Sequence, residues 1–231
     1  MRLIYVRHGD PNYKDDCLTE TGVGQAIKTK ARLHDEDIKA VYSSPMGRAV
    51  ETASYVADDH GLNVKKLDFM HEIGWGDAKE GAGIPYEGHP WTLSCELITD
   101  NSEYATTDKW REHHYFKDNL CMNYYDKIAE GIDNLLKDYG VVRDGGIYRC
   151  AYECDDTIAL FAHGGSGGLM YSHILNLPLP YVLTALTYGV CSVSIISFEE
   201  SHNGMIIPRI ELFNDMTHLG DVAKESFHFD K

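Results

Sequence analysis

Three short clusters of arginine, histidine and glycine have side chains suited to receiving an anion. The first is RHG at residues 7–9, directly after the apolar run LIYV. The second is Arg48, close behind a Ser-Pro pair, and the third is His163, which two glycines follow. Buried cationic side chains are costly unless an opposite charge joins them. Each cluster alone is more typical of a surface pair, a helix start or a structural histidine. Together they predict a site for a tetrahedral anion, phosphate or sulfate.

The elements that must position these clusters alternate between strands and helices. Apolar runs predict strands at 3–6, 39–44 and 157–163, and each strand leads into one of the clusters. Ligands of an open α/β sheet bind at the carboxyl ends of its strands. The three clusters are therefore expected to converge at one edge of one sheet.

Capping residues set the expected helix ends. Thr19 is the predicted N-cap of the first helix, and Ser44, with proline after it, is the predicted N-cap of the helix that carries Arg48. Gly61 is expected to end that second helix. The free N–H groups of a helix start would add donors beside Arg48.

The rest of the chain completes an α/β pattern. Helical periodicity is strong at 122–140, and an edge-like strand is predicted at 63–70. Asn203-Gly204 predicts a hairpin between the strands SVSIISF and MIIPRIELF. We expect a mainly parallel mixed sheet that carries one antiparallel strand from this hairpin. A second hairpin, at 144–156, is predicted without a function.

Length and charge limit the classes of function. With 231 residues, 43% of them hydrophobic, the chain is expected to form a single domain over 1–231. A formal net charge of −15 argues against nucleic acid or an anionic membrane as a partner, but not against a small anion. No apolar stretch suits a membrane span or a signal peptide, so a cytoplasmic protein is expected, with its six cysteines as free thiols.

Five segments resemble, in order, the signatures of the histidine phosphatase superfamily, also called phosphoglycerate mutase-like. They are VRHG, LTETGVGQA, SSPMGRAVETA, EIGWGDAKEG and FAHGG. Each motif alone is weak, whereas five in the family's order are specific and span most of the chain. The resemblance implies a phosphatase-type member with a three-layer α/β/α sandwich.

The resemblance also implies roles for the clusters. His8 matches the nucleophile that becomes a phosphohistidine, while Arg7, Arg48 and His163 match the groups that hold the phosphoryl oxygens. The chemistry of imidazole agrees, because a neutral ring attacks phosphorus well when its other nitrogen donates to a backbone carbonyl. Gly9 would let the backbone approach the phosphate. The expected phosphate-binding residues are Arg7, His8, Gly9, Arg48, His163 and Gly164.

The leaving oxygen needs a proton from a carboxylic acid. By position in the family's fourth motif this acid is Glu72; Glu80 in the same loop is the second choice and Asp77 the third. The donor requires a raised pKa at neutral pH, which burial beside a phosphate dianion would provide. A solvated loop carboxylate is the alternative for Glu72.

Two departures from the family pattern bear on the site. Members commonly carry Glu-Thr or Glu-Ser after RHG, whereas this chain has Asp10-Pro11, which removes an N–H and a hydroxyl. Asn12 could replace the lost donor. Lys79 stands where an aromatic residue is frequent in the family.

The segment at about 84–119 is expected to determine specificity as an inserted lid. It is rich in aromatic residues, which could equally form a small core of their own, and it has only three cations. Few cations disfavour a second phosphate on the substrate. Neither the pair His113-His114 nor the CxxxC spacing of Cys150 and Cys154 completes a metal site.

The leading interpretation is a metal-independent, histidine acid phosphatase-type enzyme. It would hydrolyse a small phosphorylated metabolite through phosphohistidine on His8, without a cofactor, and homo-oligomers remain open. Two alternatives are kept: a cofactor-dependent phosphoglycerate mutase-type phosphotransferase, and a non-catalytic member that binds a phosphate ligand. The presence of all matching residues disfavours the binder.

Overall fold

A computed structural model describes residues 1–100 and 103–222. The chain divides into two compact units, each described by itself. The first comprises Met1–His71, Asp133–Gly164 and 188–222, and the second comprises Glu72–Ile132 and Gly165–Thr187 within those limits. The single domain over 1–231 stays a prediction, and the expected insertion at 84–119 lies in the second unit.

The described residues form strands that we number in chain order. They are β1 Arg2–Arg7, β2 Pro11–Asn12, β3 Cys17–Leu18, β4 Ile38–Ser43, β5 Val64–Lys66, β6 Val141–Asp144, β7 Ile147–Cys150, β8 Thr157–Ala162, β9 Val193–Ser197, β10 Glu200–His202, β11 Met205–Ile206 and β12 Arg209–Asp215.

The helices are numbered in the same way. They are α1 Glu20–Leu33, α2 Gly47–Asp59, α3 Pro90–Thr99, α4 Glu103–Thr106, α5 Cys121–Lys137, α6 Gly164–Leu175 and α7 Leu179–Ala185, with short 3₁₀ turns at Asp68–Met70, Tyr86–Gly88, Asp108–Glu112 and Thr217–Val222.

A six-stranded sheet dominates the first unit, in the order β12-β9-β1-β8-β4-β5. Strands β1, β8, β4 and β5 pair in parallel, and β9 runs antiparallel to both of its neighbours. The predicted α/β class with a mainly parallel mixed sheet is therefore confirmed. The predicted edge strand is β5, at the end of the sheet.

The core of the first unit explains why these runs form central strands. Every residue of β8 is buried, as expected for a strand covered on both faces. Ile4, Val41 and Phe161 of the sheet pack with Leu33 of α1 and Val56 of α2 in one apolar cluster. Full burial of each such side chain contributes about 1.5–3 kcal/mol.

The caps of the first two helices match the sequence in part. The Thr19 hydroxyl accepts a hydrogen bond from the N–H of Gly22, so the predicted N-cap of α1 is confirmed. The prediction for α2 is wrong by two residues, because Met46 is its N-cap. Ser44 instead pairs its hydroxyl with a ring nitrogen of His163 at 2.7 Å.

The end of α2 follows the prediction. Gly61 has a φ of 65°, and its N–H bonds to the carbonyl of Asp58 while the N–H of Leu62 bonds to that of Ala57. This pair of bonds is the Schellman motif, which needs a left-handed residue after the helix.

Both predicted hairpins occur, with corrected partners. Asn203 and Gly204 have φ values of 53° and 75°, as a tight turn requires, but they join β10 to β11 in a four-stranded sheet β10-β11-β7-β6. The expected strand MIIPRIELF is interrupted before β12, where Pro208 lacks an N–H. The hairpin expected at 144–156 is β6 and β7, with its turn at Gly145-Gly146.

The second unit is largely helical. Helix α3 packs against α7, and α4 contacts both. Within this unit Trp110 meets Phe116 edge to face at 5.4 Å, and both side chains are buried. Some aromatic residues of 84–119 therefore form a small core, whereas Tyr86 is 52% exposed. Closure of the segment over a ligand stays a prediction.

Candidate active site

The register of the central sheet aligns the strand ends that carry the three clusters. Arg7 of β1 pairs with Ala162 of β8, and Ser43 of β4 pairs with Phe161 of the same strand. All three strands are parallel neighbours, so their carboxyl ends lie at one edge. The sheet thus brings Arg7, His8, Arg48 and His163 together within the first unit.

His8 is buried, and its two ring nitrogens have different partners. Nδ1 lies 2.7 Å from the carbonyl oxygen of Gly9, which can only accept, so Nδ1 carries the proton. The unprotonated Nε2 accepts a hydrogen bond from the Nε–H of Arg48 at 3.3 Å. The lone pair of the neutral ring is therefore on Nε2, where the arginine donates to it.

The environment of His8 keeps its ring neutral. Burial first, and then the positive charge of Arg7, lower the pKa of His8 to about 3. A neutral imidazole retains the lone pair that a nucleophile needs, across the whole ordinary pH range.

Arg48 is held from several directions at the start of α2. Its Nη1 donates to Asp16 Oδ1 at 2.5 Å, and its Cζ lies 5.4 Å from the ring centroid of Tyr13. Its Nη2 contacts the sulfur of Met46 at 3.5 Å. Only 5% of the side chain is exposed. The guanidinium is therefore fixed in the protein before any ligand arrives.

His163 lies beside His8, with ring centroids 5.1 Å apart. Its Nε2 pairs with the Ser44 hydroxyl, and its Nδ1 has no hydrogen-bond partner among the described residues. Burial, and then repulsion from His8 and Arg48, lower the pKa of His163. Tyr5 donates to the carbonyl of His163 at 2.5 Å, which fixes the backbone at this point.

Arg7 is held by a backbone carbonyl. Its Nη1 donates to the carbonyl of Tyr188 at 3.0 Å, and the hydroxyl of Tyr188 donates to the carbonyl of Gly164. A Cβ on Gly164 would lie 3.6 Å from Cζ of Arg7, so this predicted residue adjoins the cluster.

Gly9 is also required for packing, while its expected approach to phosphate stays a prediction. A Cβ at this position would lie 2.8 Å from the carbonyl oxygen of Gly22 in α1. Its N–H donates to the hydroxyl of Thr52 in α2. The glycine thus permits close packing between the loop after β1 and α1.

Glu72 belongs to the second unit, where α6 holds its carboxylate. Oε1 accepts from the N–H groups of Gly165 at 3.0 Å, Ser166 at 3.2 Å and Ile73 at 3.0 Å. A Cβ on Gly165 would lie 2.5 Å from that oxygen, so only glycine allows the approach. The start of a helix stabilises a carboxylate in this position.

The two rival carboxylates have other surroundings. Asp77 accepts from the N–H groups of Gly83 and Ile84 at 3.0 Å each, so it closes a loop. Glu80 is exposed. Of the three candidates, Glu72 is thus the one held at the start of a helix.

The loop after RHG is closed by its own side chains. Asn12 accepts from the N–H groups of Lys14 and Asp15 and donates to the Asp15 carboxylate at 2.9 Å. The carboxylate of Asp10 accepts from the Thr19 hydroxyl at 2.6 Å. These contacts give Asn12 and Asp10 structural roles within the loop.

Asp16 was missed by sequence reasoning. Its carboxylate accepts from the N–H of Gly47 at 2.6 Å through Oδ2, in addition to its bond with Arg48 through Oδ1. Burial raises its pKa, but the N–H of Gly47 and the guanidinium outweigh this and hold the pKa below its ordinary value. The only signal in the sequence is an acidic residue in the loop before α1, which is too common to be diagnostic.

The described residues contain no group of three or more His, Cys, Asp or Glu side chains placed to hold a metal ion. Within 1–100 and 103–222, none of the helices has the length and apolar character of a bilayer span.

The first part of the chain is similar to a known protein family. The model of the histidine phosphatase superfamily (branch 1) matches residues 3–88. The predicted resemblance to this superfamily is confirmed. The matched region contains Arg7, His8, Arg48 and Glu72 and ends before His163.

Curated relatives carry mutase names. A 2,3-bisphosphoglycerate-dependent phosphoglycerate mutase of Thermoplasma acidophilum is 40% identical over 101 residues, which are 37% of this chain and 50% of the relative. The chain therefore spans half the length of that relative. A probable phosphoglycerate mutase GpmB of Yersinia enterocolitica is 25% identical over 95% of both chains.

Solved structures that share the fold carry phosphatase names. A phosphoserine phosphatase of Entamoeba histolytica, in complex with 3-phosphoglyceric acid, has a TM-score of 0.62 at 22% identity and covers 94% of this chain and 98% of its own. A mycobacterial glucosyl-3-phosphoglycerate phosphatase has a TM-score of 0.62 at 21% identity, covering 92% and 98%. At such identities the similarity establishes the fold alone.

Proposed function

We propose that this protein is a phosphatase that hydrolyses a small phosphomonoester through a phosphohistidine on His8. The observation that carries the proposal is the orientation of the His8 ring. Its protonated Nδ1 is bound to the Gly9 carbonyl and its nucleophilic Nε2 lies beside Arg48. A buried neutral histidine near two arginines is suited to attack on phosphorus.

The first chemical step transfers the phosphoryl group to the protein. Nε2 of His8 attacks phosphorus in line, and the bond from phosphorus to the leaving oxygen breaks. Arg7 and Arg48 donate to the phosphoryl oxygens as charge develops on them. We assign the proton of His163 to Nδ1, because its Nε2 accepts a hydrogen bond from the Ser44 hydroxyl in this assignment. The protonated Nδ1, which has no partner among the described residues, then donates to the phosphoryl group.

Glu72 is our candidate for moving the protons. It donates one to the leaving oxygen and, as a carboxylate, then takes one from the water that attacks the phosphohistidine. Three N–H groups hold its Oε1 in place. A fixed position suits a carboxyl group that first donates a proton and then accepts one. The loop bonds of Asp77 and the exposure of Glu80 support Glu72 over both.

The substrate is expected to carry one phosphate and an uncharged or moderately apolar leaving group. Two of the three cations in 84–119 are already paired with carboxylates: Lys109 with Glu103 and Arg111 with Asp126. The second unit also carries an aromatic group, in which Trp75 lies 5.0 Å from the His89 ring and is 40% exposed. These features suit an apolar group better than a second phosphate.

A phosphoglycerate mutase-type phosphotransferase is the second candidate, favoured by the names of the curated relatives. A mutase must bind a carboxylate and two phosphates and must keep water from the phosphohistidine. The scarcity of unpaired cations in 84–119 counts against it. Conversion of 3-phosphoglycerate to 2-phosphoglycerate, dependent on a bisphosphate, would establish the mutase instead.

The cellular setting follows from the same proposal. The six cysteines are free thiols in the structure. Free thiols persist in the cytoplasm, where glutathione keeps them reduced, so we place the reaction and its phosphorylated metabolite there.

The test is hydrolysis of an aryl phosphate between about pH 5 and 7 in EDTA. Native protein is compared with His8→Ala. Activity that disappears in the variant supports a metal-independent histidine nucleophile. Equal turnover by both proteins would overturn the proposal. No turnover, with inorganic phosphate still bound, would favour a binding protein.

A further inference from the structure

The loop between β1 and α1 contacts Arg48 through the ring of Tyr13 and through the carboxylate of Asp16. Each oxygen of the Asp16 carboxylate has a different donor: Oδ2 takes the N–H of Gly47, and Oδ1 takes Nη1 of Arg48. The two donors are consecutive residues at the start of α2. The carboxylate therefore fixes the guanidinium relative to the helix that carries it.

The geometry points to Asp16 as the positioning residue of Arg48, without which the guanidinium does not hold its direction toward the nucleophile and the phosphoryl group. This inference rests on the proposed function. With Nη1 held by Asp16, Nε of Arg48 is directed at Nε2 of His8. The guanidinium is planar, so a hydrogen bond from one of its nitrogens restricts the directions of its other N–H groups.

The backbone at Asp16 is shaped for this contact. Its φ is 49°, in the left-handed region that few side chains tolerate. A Cβ on Gly47 would lie 2.1 Å from the carbonyl oxygen of Asp16, so the loop and the helix start are in close contact. The N–H of Leu18 also donates to the Glu51 carboxylate of α2 at 2.8 Å, which attaches the loop independently of Asp16.

Charge alone does not explain the arrangement. A carboxylate beside Arg48 reduces the attraction of the site for an anion, which would be unfavourable in a site that only binds phosphate. The carboxylate instead fixes the position of the guanidinium, and misplacement of a catalytic group by about 1 Å can cost 100-fold in rate. Loss of Asp16 should therefore lower kcat. Its two effects on the ground-state affinity for phosphate, loss of a repelling charge and loss of order in Arg48, oppose each other and should leave that affinity nearly unchanged.

The test uses Asp16→Asn, because asparagine tolerates a left-handed φ and keeps one acceptor oxygen. Asp16→Gly removes the side chain without a backbone penalty. The matched control is Asp15→Asn, which makes the same change of charge one residue earlier, where the carboxylate contacts Asn12 instead.

We expect kcat for an aryl phosphate to fall about 10- to 100-fold in both Asp16 variants, with KM changed by less than about threefold. Inhibition by vanadate, which mimics the transition state, should weaken with kcat, while inhibition by inorganic phosphate should not. The control should retain native values. Tighter phosphate binding with an unchanged kcat would mean that Asp16 is a competing anion and would overturn the inference.

A double-mutant cycle with Arg48→Lys separates positioning from mere folding. If Asp16 acts through Arg48, Asp16→Asn should have less than about a twofold further effect once Arg48 is replaced. Additive losses would contradict the inference while leaving the phosphatase intact.

An activity-independent measurement covers the case in which the native protein hydrolyses nothing, so that the proposed function itself has failed. The NMR signal of the Arg48 Nε–H should shift or broaden in Asp16→Asn and stay unchanged in Asp15→Asn. An unchanged Arg48 signal in both would overturn the inference whatever the reaction.

Discussion

Nε2 of His8 lies 3.3 Å from Nε of Arg48, while Nδ1 of the same ring lies 2.7 Å from the carbonyl oxygen of Gly9. The carbonyl fixes which nitrogen carries the proton, and the Nε–H of Arg48 donates to the lone pair of the other nitrogen. In the proposed reaction, this second nitrogen is the atom that attacks phosphorus.

Arg48→Lys should reduce kcat for an aryl phosphate by about 100-fold or more. Lysine lacks the planar set of N–H donors with which arginine can bind Asp16 and a phosphoryl oxygen at the same time. Steady-state kinetics at saturating substrate measure the effect. Arg143→Lys is the control, since this half-buried arginine of β6 stacks on Tyr148 instead. A rate near the native value for Arg48→Lys would exclude a role in the transition state.

Glu72→Gln should slow an alkyl phosphate far more than an aryl phosphate. A poor leaving group needs the proton, and general acid catalysis contributes about 100- to 10,000-fold. The ratio of the two rates is the measurement, and Glu80→Gln should leave it unchanged. If Glu80→Gln changes the ratio and Glu72→Gln does not, the proton donor is Glu80.

Gly165→Ala should imitate Glu72→Gln, because its Cβ would lie 2.5 Å from Oε1 of Glu72 and displace the carboxylate. Gly24→Ala in α1 is the matched control, since its Cβ meets nothing within 4 Å. This control should gain up to about 1 kcal/mol in the free energy of unfolding. A native rate on alkyl phosphates for Gly165→Ala would show that the position of Glu72 is unimportant.

The free energy of unfolding should fall as the pH is lowered from 6.5. The native pKa of His8 is lowered to about 3, so the unfolded chain binds the extra proton and acid favours unfolding. The contribution of His8 to the free energy of unfolding is complete above the pKa of the unfolded chain, and about 2 kcal/mol of it is lost by pH 5. Urea unfolding of native protein and His8→Gln at pH 7 and 5 measures this, and equal pH dependence would contradict it.

Phe116→Ala should lower the free energy of unfolding by about 3–5 kcal/mol, because the ring is fully buried in the second unit. Tyr181→Ala is the comparison, since that side chain is 40% exposed and alanine suits its helix. Its effect should be well below that of Phe116→Ala. Similar losses in both variants would show that 84–119 contains no packed core.

The sequence by itself determined the central strands and the clusters that follow them. LIYV and IALFA are runs of apolar and aromatic residues, so they predict buried strands, and parallel pairing then places Arg7, His8 and His163 at one edge. Local signals also set the cap at Thr19 and the left-handed turn at Gly61, because both depend on residues within one helical turn.

Only the tertiary structure decided which atoms meet. The start of α2 was predicted two residues early, because Ser44 is engaged by His163, which lies 119 positions away in the chain. The contact of Asp16 with Arg48 spans 32 positions, and that of Glu72 with Gly165 spans 93. Periodicity and capping report on near neighbours alone, so contacts of this range leave no pattern in the sequence. They are set by how the loops pack against helix starts. The tautomer of His8 is a local matter by comparison, because its Nδ1 contacts the carbonyl of the next residue, Gly9.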